Sequence, residues 1–143
     1  MLREARAASA LDHPNICTVY EIGEGEDGRP FIAMAFCDGE DIQAKIDRGP
    51  LAIETALEIA IQVAQGLEAA HQAGIVHRDV KPGNVLVSER GVVKLVDFGT
   101  AKVLRAGEAS TGEGLSGTPA YMSPEQLEGG TIDARTDVWS LGV

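Results

Sequence analysis

Residues 77–84 read His-Arg-Asp-Val-Lys-Pro-Gly-Asn, and thirteen positions beyond Asn84 stands the triplet Asp97-Phe98-Gly99. Few backbone arrangements satisfy both segments. Pro82 lacks an N–H and Gly83 is a poor helix former, so Asp79 and Asn84 are expected on a loop. Runs rich in valine follow at Val85 to Val87 and Val92 to Val96, which reads as a short β-hairpin leading to the triplet. Asp79, Lys81, Asn84 and Asp97 therefore frame one small hairpin.

The order H-R-D-x-x-x-x-N, hairpin, D-F-G resembles the catalytic core of eukaryotic-like protein kinases, and a lysine two after the Asp marks the Ser/Thr branch. A third signature, Gly117-Thr118-Pro119-Ala120-Tyr121-Met122-Ser123-Pro124-Glu125, resembles that family's substrate-docking loop, with Ser123 where Ala is usual. A fourth, Asp137-Val138-Trp139-Ser140-Leu141-Gly142, looks like the start of the buried helix of the large lobe, whose Asp bonds the catalytic-loop backbone. Four ordered signatures at compatible spacing are specific, whereas a lone H-R-D or D-F-G is usually a turn. Bacterial Hanks-type Ser/Thr kinases are the nearest resemblance, chiefly through the docking loop.

The resemblance implies ATP- and Mg²⁺-dependent transfer of the γ-phosphoryl group to Ser or Thr hydroxyls of protein substrates, the kinase itself included. Such a reaction passes through a loose transition state, so the protein mainly positions groups and neutralises charge. Asp79 would orient the hydroxyl and accept its proton, and Lys81 would offset charge on the transferring group. Asn84 and Asp97 are hard oxygen ligands of the kind Mg²⁺ takes beside phosphates. Phe98 would pack on His77. By register with the family, Met34 is the gatekeeper, the main chain of Ala35 and Cys37 would bind adenine, Asp41 would reach the ribose and Leu86 would floor the pocket. Leu86 and Met34 could equally be core residues, and Asp41 a helix N-terminal charge.

Control residues are implied in the same way. Glu4 would be the helix Glu that pairs with a strand lysine, and Arg78 with Lys102 would receive a phosphate on the activation loop. Thr111 is the favoured acceptor and Ser110 the second, while Thr118 would bond Asp79 and Lys81 in the docking loop. Glu125 would pair with an Arg downstream of Val143.

The fold class expected is α/β (α+β), a protein-kinase-like bilobal fold that is incomplete. Residues 1–36 would be the remainder of the small lobe, 37–41 the hinge, and 42–143 the first part of the large lobe with catalytic loop and activation segment. Met1 to Leu11 has helical spacing without a cap, as if entered midway. With 143 residues, no Gly-rich loop and no strand lysine, the chain alone is expected to be marginal and weakly active.

Between the ends, Cys17 to Ile22 and Phe31 to Phe36 read as strands around a turn at Gly23 to Gly28, with Pro30 just ahead of the second. Glu40 to Arg48 reads as a short helix ended by Gly49-Pro50. Ile53 to His71 reads as a long helix whose stripe is Ile53, Ala56, Leu57, Ala60, Ile61, Ala64, Leu67 and Ala70. His13 and His71 invite no functional role.

Twelve basic and twenty-two acidic residues give a net charge of −10, which argues against nucleic-acid partners and favours basic peptides. Apolar runs are too short to span a membrane and the charged start with Arg3, Glu4 and Arg6 lacks the apolar stretch of a signal peptide, so a cytoplasmic location is expected. Cys17 and Cys37 form no metal or disulfide spacing and read as packing residues in a reducing compartment. Two rivals are a non-catalytic kinase piece acting as an interaction module, and a small-molecule phosphotransferase with a similar Asp and Asn loop. The docking loop argues against the second, because a small substrate needs no peptide platform.

Overall fold

A computed structural model describes residues 11–98 and 119–143 of the chain. The first hairpin pairs β1 (Val19–Glu24) with β2 (Pro30–Met34), antiparallel, from Val19 opposite Met34 to Glu24 opposite Pro30, with one irregularity between Val19 and Glu21. Its turn closes through Gly25 N–H to the Arg29 carbonyl at 2.8 Å, and Gly28 takes φ +75°, where a Cβ would clash with backbone. Pro30 lies within the strand as its first residue, where a missing N–H does least harm.

A second sheet has the order β3 (Glu40–Asp41), β4 (Val85–Val87), β5 (Val93–Leu95), all antiparallel. The expected hairpin between catalytic loop and D-F-G is thus present, one residue shorter at each end of its second strand. Residues 15–17 extend the sheet along the free side of β5. Leu95 N–H donates to the Asn15 carbonyl and Cys17 N–H to the Leu95 carbonyl, both at 2.8 Å.

The anticipated helix at Glu40 to Arg48 is shorter, because Glu40 and Asp41 pair with Val87 and Leu86 before the chain coils. Helix α1 (Ile42–Asp47) then starts under Asp41, whose carboxylate accepts Ala44 N–H at 2.8 Å. Pro82 to Asn84 is a single 3₁₀ turn rather than plain loop, since Asn84 N–H reaches the Lys81 carbonyl at 2.9 Å. Pro82 opens that turn, where its missing N–H is not needed.

The long helix α2 (Ile53–Gln72) is present, but its buried side differs from the stripe read in the sequence. Ile59, Val63, Gly66, Leu67 and Ala70 are buried, whereas Ile53, Leu57 and Ile61 stay more than half exposed. The helix is apolar on more than one side, so periodicity alone could not choose which side meets β5. Val93 and Leu95 are wholly buried there, each contributing about 1.5–3 kcal/mol on the usual transfer scale. Gly66 allows the approach: a Cβ on it would lie 3.0 Å from the Asn15 carbonyl oxygen and 3.1 Å from Leu95 Cδ1.

Two amides, the buried Asn15 and the half-buried Gln62, close this junction. Asn15 Nδ2 donates to the Val93 carbonyl at 2.9 Å and to Gln62 Oε1 at 3.1 Å, and Gln62 Oε1 also accepts Val93 N–H. Each polar group that enters the core there finds a partner, as burial demands.

Beyond residue 118 come a 3₁₀ turn (Pro119–Tyr121), helix α3 (Pro124–Glu128) and helix α4 (Ala134–Gly142). Gly129, at φ +73°, ends α3. Asp133 caps α4 by accepting Arg135 N–H at 2.9 Å. Leu141 packs on the core, whereas Trp139 is 49% exposed. Among the described residues no helix is long and apolar enough to cross a membrane. Met1 to Ala10, including Glu4, lies outside the described residues, and so do Gly99, Lys102, Ser110, Thr111 and Thr118.

Candidate active site

Asp79, Lys81 and Asn84 converge on one carboxylate. Lys81 Nζ donates to Asp79 Oδ2 at 2.8 Å, and Asn84 Nδ2 donates to the same oxygen at 2.9 Å and to the Asp79 carbonyl at 2.7 Å. The 3₁₀ turn makes this possible by folding Asn84 back over residues 79–81. Both amide protons of Asn84 are committed to Asp79, so its side-chain oxygen is the atom left to face a cation.

Asp97 is positioned from the other side of the hairpin. Val96 N–H donates to the Asn84 carbonyl at 3.0 Å, which holds the end of β5 against the catalytic loop. Asp97 itself adopts φ +63° and is exposed, while the next residue, Phe98, is 5% exposed. A left-handed residue between an extended one and a buried ring turns the carboxylate outward as the phenyl goes inward. The Phe98 ring packs against His77 at a tilt of 51°, with centroids 4.5 Å apart, and His77 is fully buried.

His77 is a spacer with a defined protonation. Nε2 lies 3.0 Å from the Val96 carbonyl, an acceptor only, and Nδ1 accepts Asp79 N–H at 3.3 Å. That pair of contacts assigns the neutral imidazole carrying its proton on Nε2. Burial pushes its pKa below the ordinary histidine value, against the opposing pull of the Asp137, Asp79 and Asp97 carboxylates and the Val96 carbonyl. The neutral ring therefore links the Asp79 backbone to the end of β5.

Arg78, at φ +70°, is the second left-handed position. Its peptide is held on both sides by later elements. Asp137, wholly buried, accepts Arg78 N–H on Oδ1 and His77 N–H on Oδ2, both at 2.8 Å. Gln126 Nε2 donates to the Arg78 carbonyl at 2.7 Å. The backbone contact expected of Asp137 is thus present.

Two contributors were not anticipated. His71 Nε2 lies 2.7 Å from Asp137 Oδ2, which ties α2 to the same carboxylate. Gln126 accepts Ser123 N–H on Oε1 at 3.0 Å while donating to Arg78, so one amide caps α3 and holds the catalytic loop. Its signal was legible, because Ser followed three residues later by Gln is a capping pattern. His71 carries no such signal.

Ser123 and Glu125 also find partners. Ser123 Oγ is 3.3 Å from Thr136 Oγ1, and Thr136 Oγ1 donates to Glu125 Oε1 at 2.6 Å. That bond leads the causes holding the Glu125 carboxyl below the usual range.

The nucleotide-side candidates occupy the rim of both sheets. Ala35 N–H donates to the Thr18 carbonyl at 2.8 Å, and the Ala35 carbonyl lies 3.3 Å from Cys17 Sγ. Asp41 uses its carboxylate as the α1 cap, and Leu86 is half-buried in β4. No cluster of three or more His, Cys, Asp or Glu side chains suited to a metal occurs among the described residues. Asn84 and Asp97 each carry a hard oxygen donor, the ligand type that Mg²⁺ takes beside phosphates.

The model of the protein kinase domain family matches residues 1–143. The chain is 44% identical over 150 aligned residues to serine/threonine-protein kinase PknB of Mycolicibacterium smegmatis, covering 98% of this chain and 23% of that protein. It is 44% identical to serine/threonine-protein kinase pkn3 of Myxococcus xanthus, covering 99% and 27%. With PknB of Mycobacterium leprae the identity is 42%, covering 98% and 23%. The chain thus spans about a quarter of the length of these curated relatives. With the whole length matched by the family model and identities above 40% to bacterial serine/threonine kinases, the chain belongs to the protein kinase domain family.

Proposed function

We propose that this chain carries the catalytic loop of a serine/threonine protein kinase, transferring the γ-phosphoryl group of ATP to protein hydroxyls. The observation that carries the reading is the Asp79 carboxylate, held by Lys81 Nζ at 2.8 Å and Asn84 Nδ2 at 2.9 Å on one oxygen. With Oδ2 so occupied, Oδ1 is available to orient a substrate hydroxyl and accept its proton. Lys81 sits where it can neutralise charge on the transferring group. Asn84 and Asp97 would hold Mg²⁺, which when bound offsets phosphate charge.

Residues 37–41 act as hinge between the small-lobe remainder (1–36) and the large-lobe part (42–143). Ala35 and Cys37 present main-chain groups to adenine, Asp41 faces the ribose and Leu86 the base. Arg78 with Lys102 receives a phosphate at Thr111 or Ser110, Glu4 pairs with a strand lysine, and Thr118 docks substrate. Protein substrates include the kinase itself.

The test is to exchange this chain for the matching segment of the Mycolicibacterium smegmatis relative and measure transfer from labelled ATP to a basic protein. Activity comparable to the parent, lost on Asp79→Asn, supports the reading. A folded, nucleotide-binding chimera without transfer would overturn it.

A further inference from the structure

The only two cysteines of the chain are twenty residues apart and meet at the edge of the first hairpin. Cys17 Sγ and Cys37 Sγ are 2.8 Å apart, and both lie against the Ala35 carbonyl, at 3.3 and 3.7 Å. Both are free thiols. Two sulfurs at this separation are within about 1 Å of the roughly 2.05 Å disulfide bond. Neither thiol takes part in the phosphoryl-transfer reading, and nothing in that chemistry calls for a pair of them here.

We propose that Cys17 and Cys37 form a redox modification site that exchanges with low-molecular-weight disulfides to give an intrachain bond. Cys37 is half-buried and Cys17 only 3% exposed, so the incoming disulfide meets Cys37 first. The Cys37 thiolate attacks one sulfur of the small disulfide, forming a mixed disulfide and releasing one small thiolate. Cys17, losing its proton to solvent, then attacks the Cys37 sulfur and releases the second small thiolate. In balance, two protein thiols and one small disulfide become one protein disulfide and two small thiols. Burial, followed by the neighbouring Cys37 thiol, pushes Cys17 up to about 12, which argues against Cys17 making the first attack.

The position of the bond gives it a structural reach. Cys17 N–H is fixed to the Leu95 carbonyl at 2.8 Å, two residues before Asp97, and Cys37 follows Ala35 and Phe36 at the end of the hairpin. A bond between them would fasten the segment after β2 to the strand that leads into Asp97. The covalent chemistry does not depend on the kinase reading; only its effect on a nucleotide would.

The experiment equilibrates the protein with a glutathione redox buffer and measures the disulfide fraction by intact mass after acid quench, in buffer and in concentrated urea. Peptide mapping should recover residues 17 and 37 in one linked fragment. The native fold should favour the bond at least tenfold over the urea-unfolded chain, and Cys17→Ser should stop at the mixed disulfide on Cys37. An equal equilibrium in buffer and urea, or a native protein that keeps both thiols where the unfolded chain is oxidised, overturns the proposal.

Discussion

Asp137 and Arg78 lie 59 residues apart in the chain and meet at 2.8 Å, the buried carboxylate accepting the backbone N–H of the residue just before Asp79. The other oxygen of Asp137 holds His77 N–H at the same distance. Two consecutive peptides of the catalytic loop are therefore oriented by one side chain from α4. Asp137→Asn replaces one acceptor by an amide donor that faces another donor. The loss should be about 1–3 kcal/mol in urea unfolding, the usual cost of a buried group left unsatisfied. An unchanged midpoint would contradict this role.

Gly66→Ala tests the junction of α2 with β5. Helix propensity alone would favour alanine by about 1 kcal/mol. Against it stand the Asn15 carbonyl oxygen at 3.0 Å and Leu95 Cδ1 at 3.1 Å from the new Cβ. That carbonyl cannot retreat freely, because it accepts Leu95 N–H at 2.8 Å. Overpacking of this kind costs about 1–3 kcal/mol, so the variant should be neutral to destabilised. A clear gain in stability by chemical denaturation would show that the contact relaxes.

His77 sets a pH dependence. Its pKa in the fold lies below the ordinary value of 6.5, burial being the main cause. As pH falls below about 6.5 the unfolded chain takes up a proton that the folded chain refuses, so stability declines through that window toward the folded pKa. Above it the neutral ring costs nothing. An NMR titration should find the His77 ring neutral where an exposed histidine is already half-protonated. A His77 that titrates at or above 6.5 would refute the neutral buried ring.

Gln126 offers a graded comparison. Gln126→Ala removes the bond to the Arg78 carbonyl and should cost on the order of 1 kcal/mol. Gln126→Glu keeps the acceptor for Ser123 N–H but sets a carboxylate against a carbonyl oxygen, and should be the worse of the two. Unfolding free energies of the pair decide it, and the reverse order would remove the contact from the account.

Asp79→Asn and Asp97→Asn should separate by role in the exchanged chimera. The first should abolish phosphoryl transfer with nucleotide affinity nearly intact, and the second should weaken Mg²⁺–ATP binding as well. Calorimetric titration of both variants checks this, and equal loss of affinity would argue against the division.

Much of the site was legible because its chemistry is local. The helix-breaking Pro82-Gly83 and the valine runs around Gly91 act over a few residues, so their spacing already implied a loop and a hairpin, whereas the outward turn of Asp97 is a finding of the structure. The hairpin and the long helix followed from period and punctuation for the same reason. Position along the chain could not say which side of α2 is buried, since Ile53, Leu57 and Ile61 satisfy the helical period as well as Ile59 and Val63 do. Contact with β5 chose between them.

Tertiary structure alone decided the long-range contacts. Asp137 with His71, Gln126 with Arg78, Thr136 with Glu125 and Cys17 with Cys37 join residues 11 to 66 positions apart, and none is implied by the neighbours of either partner. Local sequence determines which backbone conformations and which chemical groups are available. Burial determines which of those groups must find one another, because a polar atom removed from water is stable only beside a partner that the folded chain brings to it.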